Sequence, residues 1–197
     1  MLDTLLQLDT SIFYFFNHTL SNPVTDFLMP YITDIKTWMP ILAVFMIWAV
    51  WKGGANGRLC VATLLLAFAF TDPFASKFLK GIFERPRPIH VLPDVNLLVP
   101  FSPGKSFPSS HAANSMCVCT VIALFYRRQK YWVPLLAILV GISRPMVGVH
   151  YPGDVLFGWI VGALDGILIY LLVTFVYRKF IEPKFRKDVS VVSEENL

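Results

Sequence analysis

Residues 143–154 read Ser-Arg-Pro-Met-Val-Gly-Val-His-Tyr-Pro-Gly-Asp and join two strongly apolar segments of the chain. Charged groups are costly inside a bilayer, so their presence at the end of an apolar segment indicates a functional site. Arg144 can bind phosphate oxygens in a fork, His150 can act as base or nucleophile, and Asp154 can orient an imidazole. The stretch therefore predicts both a boundary between two membrane spans and a site for phosphate chemistry.

The composition is typical of a membrane protein. Of the 197 residues, 55% are hydrophobic and 15% are charged, and the mean hydropathy is +0.59. These values are too apolar for an ordinary soluble domain. The net charge of +4 does not indicate nucleic-acid binding, because the basic residues form short clusters between apolar segments. The cysteines Cys60, Cys117 and Cys119 lie in apolar runs and are predicted to be small hydrophobic side chains in the lipid or in the core.

Apolar periodicity predicts an all-α fold, a polytopic membrane helical bundle. We expect five transmembrane helices, at about 36–52, 59–80, 110–126, 131–149 and 155–177. Residues 1–35 are predicted to form an interfacial amphipathic helical segment, broken at Asn22-Pro23. Whether residues 11–31 cross the bilayer as a sixth span stays open. The predicted units are thus 1–35, a transmembrane domain at 36–178, and a basic then polar cytoplasmic tail at 179–197.

Charge predicts the orientation of the spans. Basic residues are enriched in short cytoplasmic loops. All three basic clusters fall on one side of the predicted bundle, whereas residues 1–35 contain no lysine or arginine. The stretch 143–154 therefore lies on the extracytoplasmic side, together with the end of the second span and the start of the third. The basic clusters are Lys52 and Arg58; Arg127, Arg128 and Lys130; and Arg178, Lys179, Lys184, Arg186 and Lys187.

Two further groups of polar residues fall at that outer side. Lys80 lies at the end of the second span, and Arg87-Pro88 follows it. The proline ends the helix, so the side chains of Lys80 and Arg87 can point to the same place. Ser109 is a natural N-cap for the third span, whose exposed amides form an anion site beside His111. Taken alone, the cations can be read as snorkelling side chains and the histidine as a structural residue.

Taken together, these residues resemble the three-part signature of the type 2 phosphatidic acid phosphatase superfamily. That superfamily includes membrane lipid phosphatases and soluble vanadium haloperoxidases, and five apolar spans favour the membrane branch. Ser110 stands where the family usually has glycine, and we expect a modest effect, because a serine can still donate its backbone N–H. The three motifs are Lys80-x6-Arg87-Pro88, Pro108-Ser109-x-His111 and Ser143-Arg144-x5-His150-x3-Asp154.

The resemblance implies a catalytic role for three residues. His150 would attack phosphorus in line and form a phosphohistidine, and Asp154 would hold the tautomer of His150. His111 would protonate the leaving oxygen and then activate water. The implied phosphate-binding residues are Lys80, Arg87, Arg144, Ser109 and Ser110.

The expected activity is hydrolysis of a phosphate or diphosphate from a lipid head group, by an integral membrane phosphatase. Family members of this size are typically bacterial, act at the outer face of the cytoplasmic (inner) membrane, and use undecaprenyl diphosphate, phosphatidylglycerol phosphate or lipid A 1-phosphate. Of these three lipids, undecaprenyl diphosphate is ranked first, on the basis of the family alone. Two alternatives remain: a lipid phosphotransferase with the same intermediate, and a non-catalytic lipid-binding or transport protein. The sequence does not indicate the oligomeric state.

No metal or other cofactor is expected. Lys80, Arg87 and Arg144 would supply the positive charge that Mg²⁺ supplies at many phosphoryl-transfer sites. Activity is therefore predicted to survive EDTA. The expected partners are the lipid substrate and the bilayer, without nucleic acid. Candidate contacts for a second phosphate or a head group are Arg85, Lys77 and Lys105, with solvated or snorkelling side chains as the alternative.

Overall fold

The computed structural model describes residues 2–101 and 103–183, and these fold into helices joined by loops, of which the longest separates residues 91 and 110. Residues 184–197, most of the predicted tail, lie outside the described part of the chain. Helical turns of wider π type extend α1, α4 and α9. The helices are α1 Leu2–Tyr14, α2 Pro23–Thr33, α3 Ile35–Lys52, α4 Gly54–Pro73, α5 Lys80–Phe83, α6 Pro88–Val91, α7 Ser110–Phe125, α8 Val133–Met146 and α9 Pro152–Val176.

Three helical segments of the described residues are long and apolar enough to cross a membrane. They are Ile35–Lys52, Gly54–Val91 and Pro152–Ile181. Two shorter apolar helices, Ser110–Phe125 and Val133–Met146, correspond to the third and fourth predicted spans. The prediction of an all-α membrane bundle is confirmed, and the number of five crossings stays a prediction.

Helices α7 and α9 form the closest pair in the bundle. Three glycines of α9, spaced four residues apart, face α7, as small residues do where transmembrane helices approach closely. A Cβ atom on Gly158 would lie 2.6 Å from the carbonyl oxygen of Ser109, and one on Gly166 would lie 3.0 Å from that of Cys117. Only glycine permits this approach, which brings the first turns of α7 and α9 together.

The second long segment changes its geometry where the sequence places Asp72-Pro73. A π-helical turn, Phe74–Leu79, follows the proline and leads into α5. Asp72 accepts a hydrogen bond from the side-chain amide of Asn114 at 2.7 Å, so a neighbouring helix supplies a partner for this carboxylate within the apolar segment. Lys80 follows this turn, at the end of the bundle where α7 and α9 begin.

The N-terminal segment forms two helices that pack against the bundle. Asn22 caps α2 by accepting from the amides of Val24 at 3.0 Å and Thr25 at 3.2 Å, which confirms the predicted break. Asn17 is fully buried and donates to the carbonyl oxygens of Asn96 at 2.9 Å and Met146 at 3.0 Å. These bonds join the N-terminal segment to the loop before α7 and to the end of α8.

Candidate active site

Four chain segments meet at one end of the bundle and bring the polar residues together. α5 contributes Lys80 and the extended chain after it contributes Arg87, α7 begins at Ser110, α8 ends at Met146, and α9 begins at Pro152. Most of this cluster is enclosed: Arg87 is 6% exposed, Arg144 7%, His150 1% and Asp154 0%. Buried charges of this kind are retained for function more often than for stability.

His150 is fixed through both ring nitrogens. Its Nδ1 lies 3.4 Å from a carboxylate oxygen of Asp154 and 3.4 Å from the hydroxyl of Ser106. Its Nε2 lies 3.2 Å from a guanidinium nitrogen of Arg87. Arginine only donates hydrogen bonds, so Nε2 must accept, which places the ring proton on Nδ1. The lone pair of Nε2 therefore faces the guanidinium of Arg87.

Burial and neighbouring charge keep His150 neutral. Removal from water disfavours the protonated ring and lowers the pKa of His150 well below its ordinary value of 6.5. The positive charges of Arg144, Arg87 and Lys80, in that order, lower the pKa further. A neutral imidazole with a free lone pair is the form that attacks phosphorus.

Asp154 has partners on both carboxylate oxygens. Oδ2 accepts from the backbone amide of Tyr151 at 2.9 Å and from the hydroxyl of Ser106, and Oδ1 pairs with Arg85 at 2.8 Å. The carboxylate thus has a single position beside the ring of His150. A carboxylate held in this way orients the imidazole and stabilises positive charge that develops on it.

Two arginines supply donors that the protein itself does not use. Arg87 donates from Nη1 to the carbonyl oxygen of Val149 at 3.0 Å, and Arg144 donates from Nη1 to the hydroxyl of Thr33. The Nε atoms of both arginines are buried without a hydrogen-bond partner among the described residues. Buried donors of this kind suit an anionic ligand, and a guanidinium matches the geometry of phosphate oxygens.

Lys80 and His111 complete the cluster. Lys80 is half-buried and lies within electrostatic reach of Arg87, Arg144 and Asp154. His111 is electrostatically coupled to His150 and to all three cations. Unlike His150, His111 is exposed, so its ring is accessible to a leaving group and to water.

The two serines before His111 have different surroundings. Ser109 is fully buried and caps α7, as predicted, by accepting from the amide of Ala112 at 3.4 Å. Its own amide donates to the carbonyl oxygen of Asp154 at 3.0 Å. The hydroxyl of Ser110 is buried with no partner in the described part of the chain. Of the two hydroxyls, that of Ser110 is therefore the one free for a ligand.

The three candidate head-group contacts do not form a second cluster. Arg85 is committed to two carboxylates, Asp154 and Asp9, at 2.8 Å each, and these contacts favour a structural role. Lys77 is exposed on the π-helical turn. Lys105 lies 3.4 Å from Glu84 in an exposed ion pair, which contributes little to stability.

Sequence reasoning missed three residues that touch this site: Ser106, Asp9 and Thr33. Ser106 precedes its motif by two residues, and no spacing rule distinguishes it from other loop serines. Thr33 ends α2 far from Arg144 in sequence. Asp9 did leave a trace, because it is an acidic residue within an otherwise apolar helical face. Such a residue is expected to have a partner, although the sequence does not say which one.

The fold and the site together define a helical membrane protein with a cationic, two-histidine cluster at one end. Residues 57–178 match the PAP2 superfamily, and the chain belongs to that superfamily.

Relatives with established names are similar over most of the chain. Lipid A 4'-phosphatase of Bacteroides thetaiotaomicron is 29% identical over 180 residues, which cover 87% of this chain and 80% of that protein. Undecaprenyl-diphosphatase BcrC of Bacillus subtilis is 31% identical over 166 residues, which cover 78% of each chain. Phosphatidylglycerophosphatase B of Bacillus subtilis is 40% identical over 112 residues, about half of each protein, at 51% and 52%.

Solved structures show the same fold. The crystal structure of Aquifex aeolicus LpxE has a TM-score of 0.70 and 28% identity, covering 82% of this chain and 94% of that one. A transmembrane PAP2 type phosphatidylglycerolphosphate phosphatase from Bacillus subtilis has a TM-score of 0.66 and 28% identity, with coverage of 90% and 88%.

Proposed function

We propose that this protein is a membrane lipid phosphatase that cleaves a phosphate or diphosphate from a lipid head group through a phosphohistidine on His150. The observation that carries the proposal is the ring of His150, held between Asp154 and Ser106 at Nδ1 and Arg87 at Nε2. This arrangement gives a neutral nucleophile of fixed tautomer whose lone pair faces a phosphate-binding cation.

The first step transfers the phosphoryl group to the enzyme. The lone pair of His150 Nε2 forms a bond to phosphorus while the bond from phosphorus to the leaving oxygen breaks. His111 gives its proton to that oxygen, so the lipid leaves as a neutral hydroxyl or as a lower phosphate. Asp154 stabilises the positive charge that the phosphorylated imidazole acquires.

The second step returns the enzyme to its starting state. His111, now neutral, accepts a proton from a water molecule, whose oxygen forms the new bond to phosphorus. The bond between Nε2 and phosphorus breaks, and inorganic phosphate leaves. The exposure of His111 supports this role, because both the leaving group and the water must reach it.

Three fixed cations would stabilise the transition state in both steps. Lys80, Arg87 and Arg144 are proposed to hold the equatorial oxygens, with a further donor from Ser110 at the N-terminus of α7. Preorganised charge in a site closed to water stabilises such a transition state by several kcal/mol, on the order of what a bound metal ion provides. Activity in the presence of EDTA is therefore the expected result.

A lipid substrate is supported by the relatives and by an apolar pocket beside the site. The relatives' printed names specify lipid A, undecaprenyl diphosphate and phosphatidylglycerol phosphate. The pocket, of about 500 Å³, lies between α1, α8 and α9 and extends from Asp9 and Gly153 to Trp159. The residues that line the pocket form an apolar surface on which a long hydrocarbon chain can bind, and Gly153 and Val155 among them are next to Asp154 in sequence.

The proposed location is the bacterial cytoplasmic membrane, with the active site facing outward. The basic residues Lys52, Arg128 and Lys179 lie at helix ends opposite to the site, in agreement with the enrichment of such residues in cytoplasmic loops. The native cysteines are buried, so single introduced cysteines report topology. Lys105→Cys should react with a membrane-impermeant maleimide in intact spheroplasts, whereas Arg128→Cys should react only after lysis. The reverse pattern would refute the proposed orientation.

A panel of purified lipid phosphates tests the function directly. Undecaprenyl diphosphate, phosphatidylglycerol phosphate and lipid A are each incubated with the purified protein in EDTA, and released phosphate is measured. Release from at least one lipid by the wild type, and none by His150→Ala, is expected.

The contrary outcomes are equally definite. Equal release by His150→Ala would contradict the mechanism. Consumption of the substrate only when a second lipid accepts the phosphoryl group would identify a transferase. Binding without turnover of any lipid would favour the non-catalytic alternative.

A further inference from the structure

The N-terminal helix α1 reaches the catalytic carboxylate through a chain of charged groups. Asp9 Oδ2 lies 2.8 Å from Arg85 Nη2, and Arg85 Nη1 lies 2.8 Å from Asp154 Oδ1. The three side chains are well enclosed: Asp9 is 15% exposed, Arg85 20% and Asp154 0%. Asp9 lies outside residues 57–178, the part of the chain that matches the PAP2 superfamily.

We propose that Asp9 is a positioning residue for the reaction, acting through Arg85 on Asp154. The inference rests on the proposed function, because it specifies how the nucleophile of that site is held and charged. Asp9 itself touches neither His150 nor the phosphate-binding cations.

The first support is geometric, because Arg85 is held on all sides. Its guanidinium lies 3.8 Å from the centre of the ring of Tyr151, and both of its ends pair with carboxylates. The guanidinium is planar and rigid, so its Nη1 and Nη2 atoms move together. A displacement of Asp9 would therefore move the partner of Asp154 Oδ1.

The second support is the close contact between α1 and the start of α9. Asp9 Oδ1 accepts a hydrogen bond of 2.7 Å from the backbone amide of Gly153, next to Asp154 in sequence. A Cβ atom at position 153 would lie only 3.0 Å from Asp9 Oδ2, so glycine lets the carboxylate approach this closely. Asp9 thus fixes both the residue that pairs with Asp154 and the backbone that carries it.

The third support is charge. A cation in contact with Asp154 competes with His150 for that carboxylate, and Arg85 alone would cancel its charge. Asp9 neutralises Arg85, so the three groups together retain one negative charge. The imidazole of His150 becomes cationic when it carries a phosphoryl group, and the retained charge stabilises it in this buried position. The effect belongs to the chemical step and not to substrate binding.

The test uses the full chain with a C-terminal tag, in detergent micelles with a lipid that the wild type hydrolyses. Asp9→Asn keeps the shape and an acceptor for Gly153 while removing the charge. We expect kcat to fall about tenfold, as when an outer partner of a reacting group is removed, with KM nearly unchanged. Asp9→Glu should restore part of the loss. Asp3→Asn, which removes an exposed carboxylate from the same helix, is the matched control and should equal the wild type.

A double-mutant cycle shows whether Asp9 acts through Arg85. In an Arg85→Gln background, Asp9→Asn should cause no further loss of kcat, because the path between the two carboxylates is already broken. Rates are expressed per mole of protein recovered as a monodisperse species after size-exclusion chromatography, so poorly folded protein does not lower them.

The outcomes separate this inference from the proposed function. Wild-type kcat in Asp9→Asn, an equal loss in Asp3→Asn, or an undiminished loss in the Arg85→Gln background would each overturn the positioning role while leaving the phosphatase intact. Failure of the wild type to release phosphate from any lipid would overturn the proposed function itself.

Discussion

The two histidines of the site have opposite environments. His150 is 1% exposed, with Asp154 and Ser106 at one ring nitrogen and Arg87 at the other. His111 is exposed in the first turn of α7. A nucleophile benefits from a fixed tautomer and from exclusion of water, whereas a group that protonates a leaving oxygen and then activates water must be accessible. The difference in exposure therefore supports the two proposed roles independently of the motifs.

The activity should be sensitive to small changes in the residues that contact His150. Asp154→Asn replaces an acceptor with an amide that can donate toward Nδ1, which favours the wrong tautomer. We expect kcat to fall by about 10³- to 10⁴-fold, measured as phosphate release. Asp165→Asn changes another buried carboxylate of α9 and should have a far smaller effect. Comparable losses in both variants would indicate general destabilisation instead.

The effect of replacing His111 should depend on the leaving group of the substrate. His111→Ala is expected to lower turnover of an alkyl phosphate by about 10²- to 10⁴-fold, the usual contribution of general acid–base catalysis. An aryl phosphate, whose leaving group needs no proton, should still phosphorylate the enzyme, and the phosphoenzyme should accumulate because its hydrolysis lacks a base. Equal losses for both substrates, without accumulation, would show that His111 does not act on the leaving group.

Ser106 lies outside the three motifs but should also contribute to catalysis, through its contacts with His150 and Asp154. Ser106→Ala removes the hydroxyl shared between Asp154 and His150. We expect kcat to fall about tenfold, as for loss of an outer partner, while KM changes little. Ser115→Ala is a matched control, since its hydroxyl bonds only within α7, to the carbonyl of Ala112. A wild-type rate in Ser106→Ala would limit the residues that act on His150 to Asp154 and Arg87.

The smallest expected effect is on stability. The pKa of His150 is below 6.5 in the folded state. Below about pH 6.5, His150 is therefore protonated in the unfolded chain but stays neutral in the folded chain. Stability from this group is therefore present above that pH and lost as the pH falls. The melting temperature in detergent should drop between pH 7 and pH 5, and His150→Gln should reduce the drop. His90→Gln, at an exposed position, is the control; equal behaviour of the two variants would contradict a buried neutral His150.

The sequence carried the local features of this molecule well. Apolar periodicity located the five apolar helices, Asn22-Pro23 marked the break in the N-terminal segment, and Ser109 was recognisable as a cap. These features depend on a few neighbouring residues, which is why short-range rules detect them. The motif residues also lie at one end of the bundle, as alternating span directions require.

Contacts between distant segments were beyond sequence reasoning. Arg85 was a candidate head-group ligand because it lies near the motif, yet it pairs with Asp9, which is 76 residues earlier in the chain. The bond from Arg144 to Thr33 is equally long-range. Such pairs depend on how α1 and α2 pack against the bundle, and no single-residue property encodes that arrangement. The N-terminal segment was predicted as an interfacial element, whereas its polar residues Asp9, Asn17 and Thr33 each bond to the site or to the segments that carry it.

The covalent intermediate is the most direct test of the account. The wild-type enzyme is mixed with a ³²P-labelled lipid phosphate, quenched in alkali within one turnover, and digested for mass spectrometry. We expect an acid-labile, alkali-stable label on His150 that is absent from His150→Ala. Label on any other residue, or phosphate release by His150→Ala at the wild-type rate, would contradict it.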